Sequence, residues 1–120
     1  MAPEHPPWEQ ACGRVRDIGT EGEAIAAIHL TGHGCTIVAR NLHVGSDEID
    51  LVVRDGDAVA AVEVKTSGNG DDPLSAVDEA KFGRLARAAA AAPMRVTRLD
   101  LVGVSVSRSG LSVRWLVGVR

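Results

Sequence analysis

Asp55-Gly56 stands between two apolar runs, residues 49–53 and 58–64, and a tight turn there folds the runs together as a β-hairpin. This constrains the chain more than any other feature, because side chains alternate along a strand and the hairpin sets which residues share a face. With Arg54 paired to Asp57, Asp50 faces Ala61 and Glu48 faces Glu63. Glu48, Asp50, Glu63 and Lys65 then share one face, and Ile49, Leu51, Val53, Ala60, Val62 and Val64 the other. Three carboxylates and one ammonium are expected close together on rigid strands. Nearer the turn the same face carries Val52 and Val59, so it is apolar at one end and acidic at the other.

The rest of the chain supplies elements to cover this pair. A length of 120 residues makes one domain. Residues 1–15 are proline-rich and without period and read as a flexible N-terminal tail, with residues 16–120 as a single domain. A first helix is predicted over residues 17–31. Thr20 and Glu23 have capping-box spacing, Ala24, Ala27, Ile28 and Thr31 form its inner stripe, and Gly32 and Gly34 stop it. A strand over residues 35–41 and a loop at 43–46 lead into the hairpin. Asp72 and Pro73 mark the start of a second helix, with Leu74, Val77, Lys81 and Leu85 inward and Pro93 at its end. Strands over residues 95–106 and 111–119 complete the order αβββαββ, an α/β domain with a mixed sheet flanked by helices. Trp8, Phe82 and Trp115 are the only aromatic residues, so the core falls to Val, Leu, Ile and Ala.

No apolar run approaches a membrane span, and the first residues lack the parts of a signal peptide; a cytoplasmic protein is expected. Cys12 and Cys35 lack CxxC spacing and are expected as free thiols. The net charge of −3 is without the basic excess usual in nucleic-acid binders, but it is uneven. Residues 1–60 carry 4 Arg against 10 Asp and Glu (−6); residues 61–120 carry 9 Lys and Arg against 6 Asp and Glu (+3). Lys65 and Lys81 are the only lysines beside 11 Arg, which suggests that a compact ammonium is wanted next to Glu63.

Two carboxylates on adjacent strands suit a hard divalent cation such as Mg²⁺ or Mn²⁺, which takes few protein ligands and leaves positions for phosphate oxygens. Asp50 and Glu63 are the expected ligands, with the Val64 carbonyl as a further donor. Lys65 is placed to stabilise charge developing on a phosphate. Glu23 completes the site if the first helix packs across the sheet. The plainer alternative is a solvated sheet face with cross-strand Lys–Glu pairs. A covered face ending in three carboxylates argues for a cation instead, because like charges opposite each other destabilise a sheet.

Gly19-Thr20-Glu21-Gly22-Glu23-Ala24, Arg40-Asn41, Glu48-Ile49-Asp50-Leu51, Val62-Glu63-Val64-Lys65, Lys81 and Arg98-Leu99-Asp100 follow one another at spacings that resemble the YraN-type family of small bacterial proteins. That family is similar to the restriction-endonuclease-like PD-(D/E)xK nucleases and to Holliday-junction resolvases. The resemblance implies a restriction-endonuclease-like fold, a metal site of Asp50 and Glu63, and Lys65 as the catalytic lysine. It sets Glu23 with the helical glutamate of the resolvase-like members, and Lys81 and Arg98 at basic or polar positions that contact phosphate. Asp47, Ala61, His29 and Ser67 stand where the family usually carries a glycine, an aromatic, a tyrosine and a basic residue.

The function expected is hydrolysis of phosphodiester bonds in DNA, branched or single-stranded, by a metal-dependent endonuclease-like protein, with a homodimer as a reasonable assembly. The alternative is a catalytically silent nucleic-acid- or protein-binding module that keeps the fold. Lys81, Arg84 and Arg87 form a basic edge on the second helix, and Arg98 has Asp100 as a partner on its own strand face. His29 and His33 have helical metal-ligand spacing but lack an evident third ligand.

Overall fold

The computed structural model describes residues 18–68 and 71–119. The expected tail, with Trp8 and Cys12, lies outside the described residues. Helix α1 (Ile18–Gly32) is followed by strands β1 (Thr36–Val44), β2 (Asp47–Asp55) and β3 (Ala58–Ser67). A 3-10 turn (Pro73–Ala76) and helix α2 (Glu79–Ala91) lead to β4 (Arg98–Ser107) and β5 (Gly110–Leu116). The five strands form one sheet in chain order, β1-β2-β3-β4-β5. Every pairing is antiparallel except β3–β4, which is parallel because the chain crosses back through α2. The order of helices and strands is the one expected.

Each face of the sheet carries its own core. Ala26, Ala27 and Leu30 of α1 pack on Leu51, Val53, Ala60, Val62, Val64, Val102 and Val104. On the other face Leu74, Leu85, Ala88 and Ala89 cover Ile49, Val52, Ala61 and Leu101. The expected stripe of α1 is out of phase: Ile28 is 72 % exposed, and Ala26 and Leu30 are fully buried. Ala24, Ile25, Ala26, Ala27, Ile28 and Leu30 put apolar groups almost all round this helix, so periodicity alone leaves its rotation open. Thr20 lies inside the helix, which rules out the capping box with Glu23. Asp72 caps the 3-10 turn through Leu74 N–H rather than a long helix, and α2 has its own cap, Asp78, which accepts from Lys81 N–H.

The hairpin turn also shifts. Asp55 pairs with Ala58 and Arg54 with Val59, not Asp57, so Gly56-Asp57 form the two-residue loop. Gly56 has φ +58°, the conformation required of a glycine leading such a turn. Each residue's partner moves by two, an even step that leaves the faces of the hairpin unchanged. Asp50 is thereby carried from opposite Ala61 towards Glu63.

Candidate active site

The site forms where β2 and β3 part. Their main-chain ladder ends at Leu51–Val62. One residue further on, Val64 N–H donates to Asp50 Oδ2 at 2.8 Å, so a carboxylate takes the main-chain donor that a strand would have used. Strict alternation breaks at the same place. Ile49 packs with Val52 and Ala61, not with Leu51 and Val53 as the sequence pattern suggested. On the neighbouring strand, Asn41 between the pairs Arg40–Leu51 and Leu42–Ile49 has a left-handed φ of +49°. The irregularity turns Asp50 into a gap between strands rather than onto a flat face.

Glu63 continues β3 towards the cleft, and its carboxylate holds Lys65 Nζ at 3.0 Å. Glu23 arrives from α1 on the opposite face. Gly22 makes that approach possible, because a Cβ there would overlap Thr66 Oγ1, one residue beyond Lys65. The helix therefore docks against the end of β3 and delivers the next side chain, Glu23, beside Asp50, and Glu63 is the further carboxylate that acts on Asp50. The four expected catalytic residues, Glu23, Asp50, Glu63 and Lys65, thus come together from one helix and two strands, with Val64 among them.

The acids outnumber their counter-charges. Burial pushes the Asp50 carboxyl up to about 7; the Val64 N–H bond works against this, and the charges on Glu63 and Glu23 add to it. Glu23 is also raised, first by burial and then by Glu48, with Glu63 adding further and the hydrogen bond to Asp50 opposing. Beside them, on the side of Glu63 and Lys65, opens a cleft of about 260 Å³ lined by Ser46, Asp47, Glu48, Glu63, Lys65, Lys81, Arg84 and Leu85; Asp50 and Glu23 lie behind this lining rather than in it. Lys81, expected to meet phosphate, and Arg84, from the basic edge of the same helix, project from α2 into its wall. Arg87 is drawn aside to Asp47, 3.7 Å away.

Arg98 is not brought to this cleft. Its guanidinium bonds both oxygens of Asp100 at 2.9 Å and reaches Asp55 at 3.0 Å. His29 and His33 stack with ring centroids 4.4 Å apart, and His33 Nδ1–H donates to the His29 carbonyl at 2.8 Å. Among the described residues no group of three or more His, Cys, Asp or Glu side chains forms a ready metal cage. The donors that the fork offers are fewer: the Asp50 and Glu63 carboxylates, with the Val64 N–H already taken by Asp50. Both are hard oxygen ligands of the kind an octahedral cation that keeps several waters accepts. Cys35 is a free, buried thiol.

Sequence reasoning did not identify Gly22 as the docking point of α1, nor Asn41 as more than part of a motif. Glycine inside a helix is unfavourable and therefore informative, but its meeting with Thr66 joins positions 44 residues apart and is not a local pattern.

Fold and site together define a mixed α/β protein with a carboxylate–lysine constellation at the fork of two strands, faced by a basic helix wall. The chain belongs to the Uncharacterised protein family UPF0102, whose model matches residues 22–104, from Gly22 at the docking point into β4. It is 40 % identical over 104 residues to a UPF0102 protein of a Nocardioides species, covering 80 % of this chain and 84 % of that one. A UPF0102 protein of Clavibacter michiganensis is 45 % identical over 105 residues (81 % and 89 % covered), and one of Marinobacter nauticus 34 % over 110 (84 % and 89 %). No helix among the described residues is long and apolar enough to cross a membrane.

Proposed function

We propose that this protein is a divalent-cation-dependent, restriction-endonuclease-like nuclease that hydrolyses phosphodiester bonds in DNA, with branched or single-stranded DNA as the preferred substrate. One observation carries this reading: Asp50, Glu63, Lys65 and Glu23 converge, half-buried, at the strand fork, three carboxylates with one ammonium among them. A solvated sheet face has no use for a helix carboxylate driven against a half-buried aspartate. A bound Mg²⁺ or Mn²⁺ supplies the missing positive charge and a Lewis acid for the phosphate.

The chain's own residues would do the following. Asp50 and Glu63, with the Val64 carbonyl, hold the cation. Lys65 Nζ, kept in place by Glu63, stabilises negative charge gathering on phosphate oxygens. The raised carboxyl of Asp50 has to give up its proton to take the cation, so loading is coupled to pH near neutrality. Lys81 and Arg84 across the cleft contact the flanking phosphates and orient the strand. Arg98, turned to Asp100 and Asp55, has no place in this interface.

The test is calorimetric titration of Mg²⁺ and Mn²⁺ into wild type and Glu63→Ala, with cleavage of plasmid and four-way-junction DNA measured alongside. Saturable binding and cleavage, both lost in Glu63→Ala, are expected. DNA binding without metal binding or cleavage would instead favour a silent binding module that keeps the nuclease fold.

A further inference from the structure

Asn41 is the single described non-glycine residue with a positive φ. That conformation ordinarily falls to glycine, and inside a strand it is disfavoured. Turn chemistry does not account for it, because Asn41 lies within β1, and the turn glycine is Gly45. Its side chain does. A carboxylate can only accept hydrogen bonds, so the amide turns its nitrogen to the acids. Nδ2 then donates to Glu23 Oε2 at 3.0 Å and to Glu48 Oε1 at 3.1 Å. Both amide hydrogens are thus used on two carboxylates from two different elements, α1 and β2. Glu23 in turn neighbours Asp50 closely enough for each to act on the other's carboxyl.

We infer that Asn41 is a positioning residue of the acidic site: its left-handed backbone lets one amide bridge Glu23 and Glu48, and so holds Glu23 against Asp50. The two N–H groups fill the gap in which two like charges would otherwise push each other away. The bridge also ties α1 to the edge of the sheet at the fork, where main-chain pairing has ended. Glu23 and Glu48 are thereby engaged, and Asp50 and Glu63 remain as the pair that faces a cation. The effect on a cation rests on the nuclease reading; the bridge itself does not.

Asn41→Gly tests this directly, since glycine accepts the φ and removes the amide. Asn41→Asp keeps the size but replaces the donor with a further acid. In metal-free buffer at neutral pH the midpoint of thermal unfolding is expected to fall from wild type to Asn41→Gly to Asn41→Asp. A purely backbone role predicts Asn41→Gly equal to or above wild type, and that result overturns the inference. In ¹⁵N–¹H spectra the Asn41 side-chain amide is expected at a shifted, hydrogen-bonded position that moves towards a free amide in Glu48→Ala. An amide already at the free position in wild type also overturns it, whether or not the Asn41 variants fold. Mn²⁺ binding is expected to weaken about tenfold in Asn41→Gly, the usual scale for losing a group that orients a ligand. If wild type binds no Mn²⁺ the nuclease reading fails, while the unfolding and amide measurements still decide the bridge.

Discussion

Two polar clusters lie towards the two ends of β3, and they are built on opposite principles. At one end Asp100 is fully buried, yet it accepts from Arg98 Nε and its terminal nitrogen, from Trp115 Nε1 at 3.0 Å and from Gly118 N–H at 2.9 Å. Arg98 keeps a second carboxylate, Asp55, within 3.0 Å. This cluster is closed, its acid met by donors on every side. At the other end Glu23, Glu48, Asp50 and Glu63 meet the Lys65 ammonium, the Asn41 amide and the Val64 main-chain N–H, with Lys81 and Arg84 across the cleft. The first cluster joins β2, β4 and β5; the second is short of positive charge. A buried polar group that is fully satisfied is structural, whereas raised carboxyls such as those of Asp50 and Glu23 mark a candidate functional site.

The contrast breaks most readily at Asp100. Asp100→Ala strands the Trp115 and Gly118 donors and half-frees a partly buried Arg98. A loss of about 3–5 kcal/mol is expected by urea denaturation, the scale for removing one partner of a buried pair. A loss under about 1 kcal/mol would show that the cluster is not the clasp described. Next comes Gly22→Ala, which forces a methyl into Thr66. Overpacking of this kind costs about 1–3 kcal/mol, against a gain of up to about 1 kcal/mol in helix propensity. Adding Thr66→Ala should recover the loss; failure to recover it would remove Thr66 as the point of contact.

At the acidic end the expected sign reverses. Asp50 titrates at 3.8 when unperturbed and at about 7 in the fold. Its contribution to stability is therefore fully present below about pH 4 and lost as pH rises through 7. Asp50→Asn removes that loss, so the metal-free variant should be more stable than wild type at pH 8 by about 1 kcal/mol, a rise of several degrees, and no more stable at pH 4. Equal melting profiles at pH 8 would show that the carboxylate is not under charge stress. A cation must displace the same proton, so Mn²⁺ affinity should fall about tenfold per pH unit below 7.

The smallest effect on folding belongs to Lys65→Ala. Its half-exposed pair with Glu63 stabilises by under about 1 kcal/mol. Unfolding should hardly change, while any cleavage should disappear. A variant that cuts as well as wild type would take Lys65 out of the chemistry.

Much of the site was legible in the chain because β-strands encode neighbours at fixed intervals. Asp55-Gly56 announced the hairpin, and period-two alternation grouped Glu63 with Lys65 and set Asp50 near them even though the register was two residues off. A shift of two preserves faces; a shift of one would have destroyed the reading. The rotation of α1 was not legible, since its apolar residues run almost all round, and Ile28, inward by periodicity, is solvent-exposed. The fate of Arg98 was half legible: Asp100 was an evident partner, but Asp55, Trp115 and Gly118 come from elsewhere in the chain.

By itself the sequence determined the strands, the order of elements, the apolar and acidic ends of the hairpin, and the residue types at the site, because each follows from local spacing and side-chain chemistry. Tertiary structure alone decided that the ladder stops at Leu51, that Gly22 lets a helix reach Thr66, and that Asn41 bridges acids on two elements. It also decided that one acidic cluster is closed while the other is open. Those outcomes depend on contacts between positions far apart in the chain, where no local period operates and only packing determines which charge meets which partner.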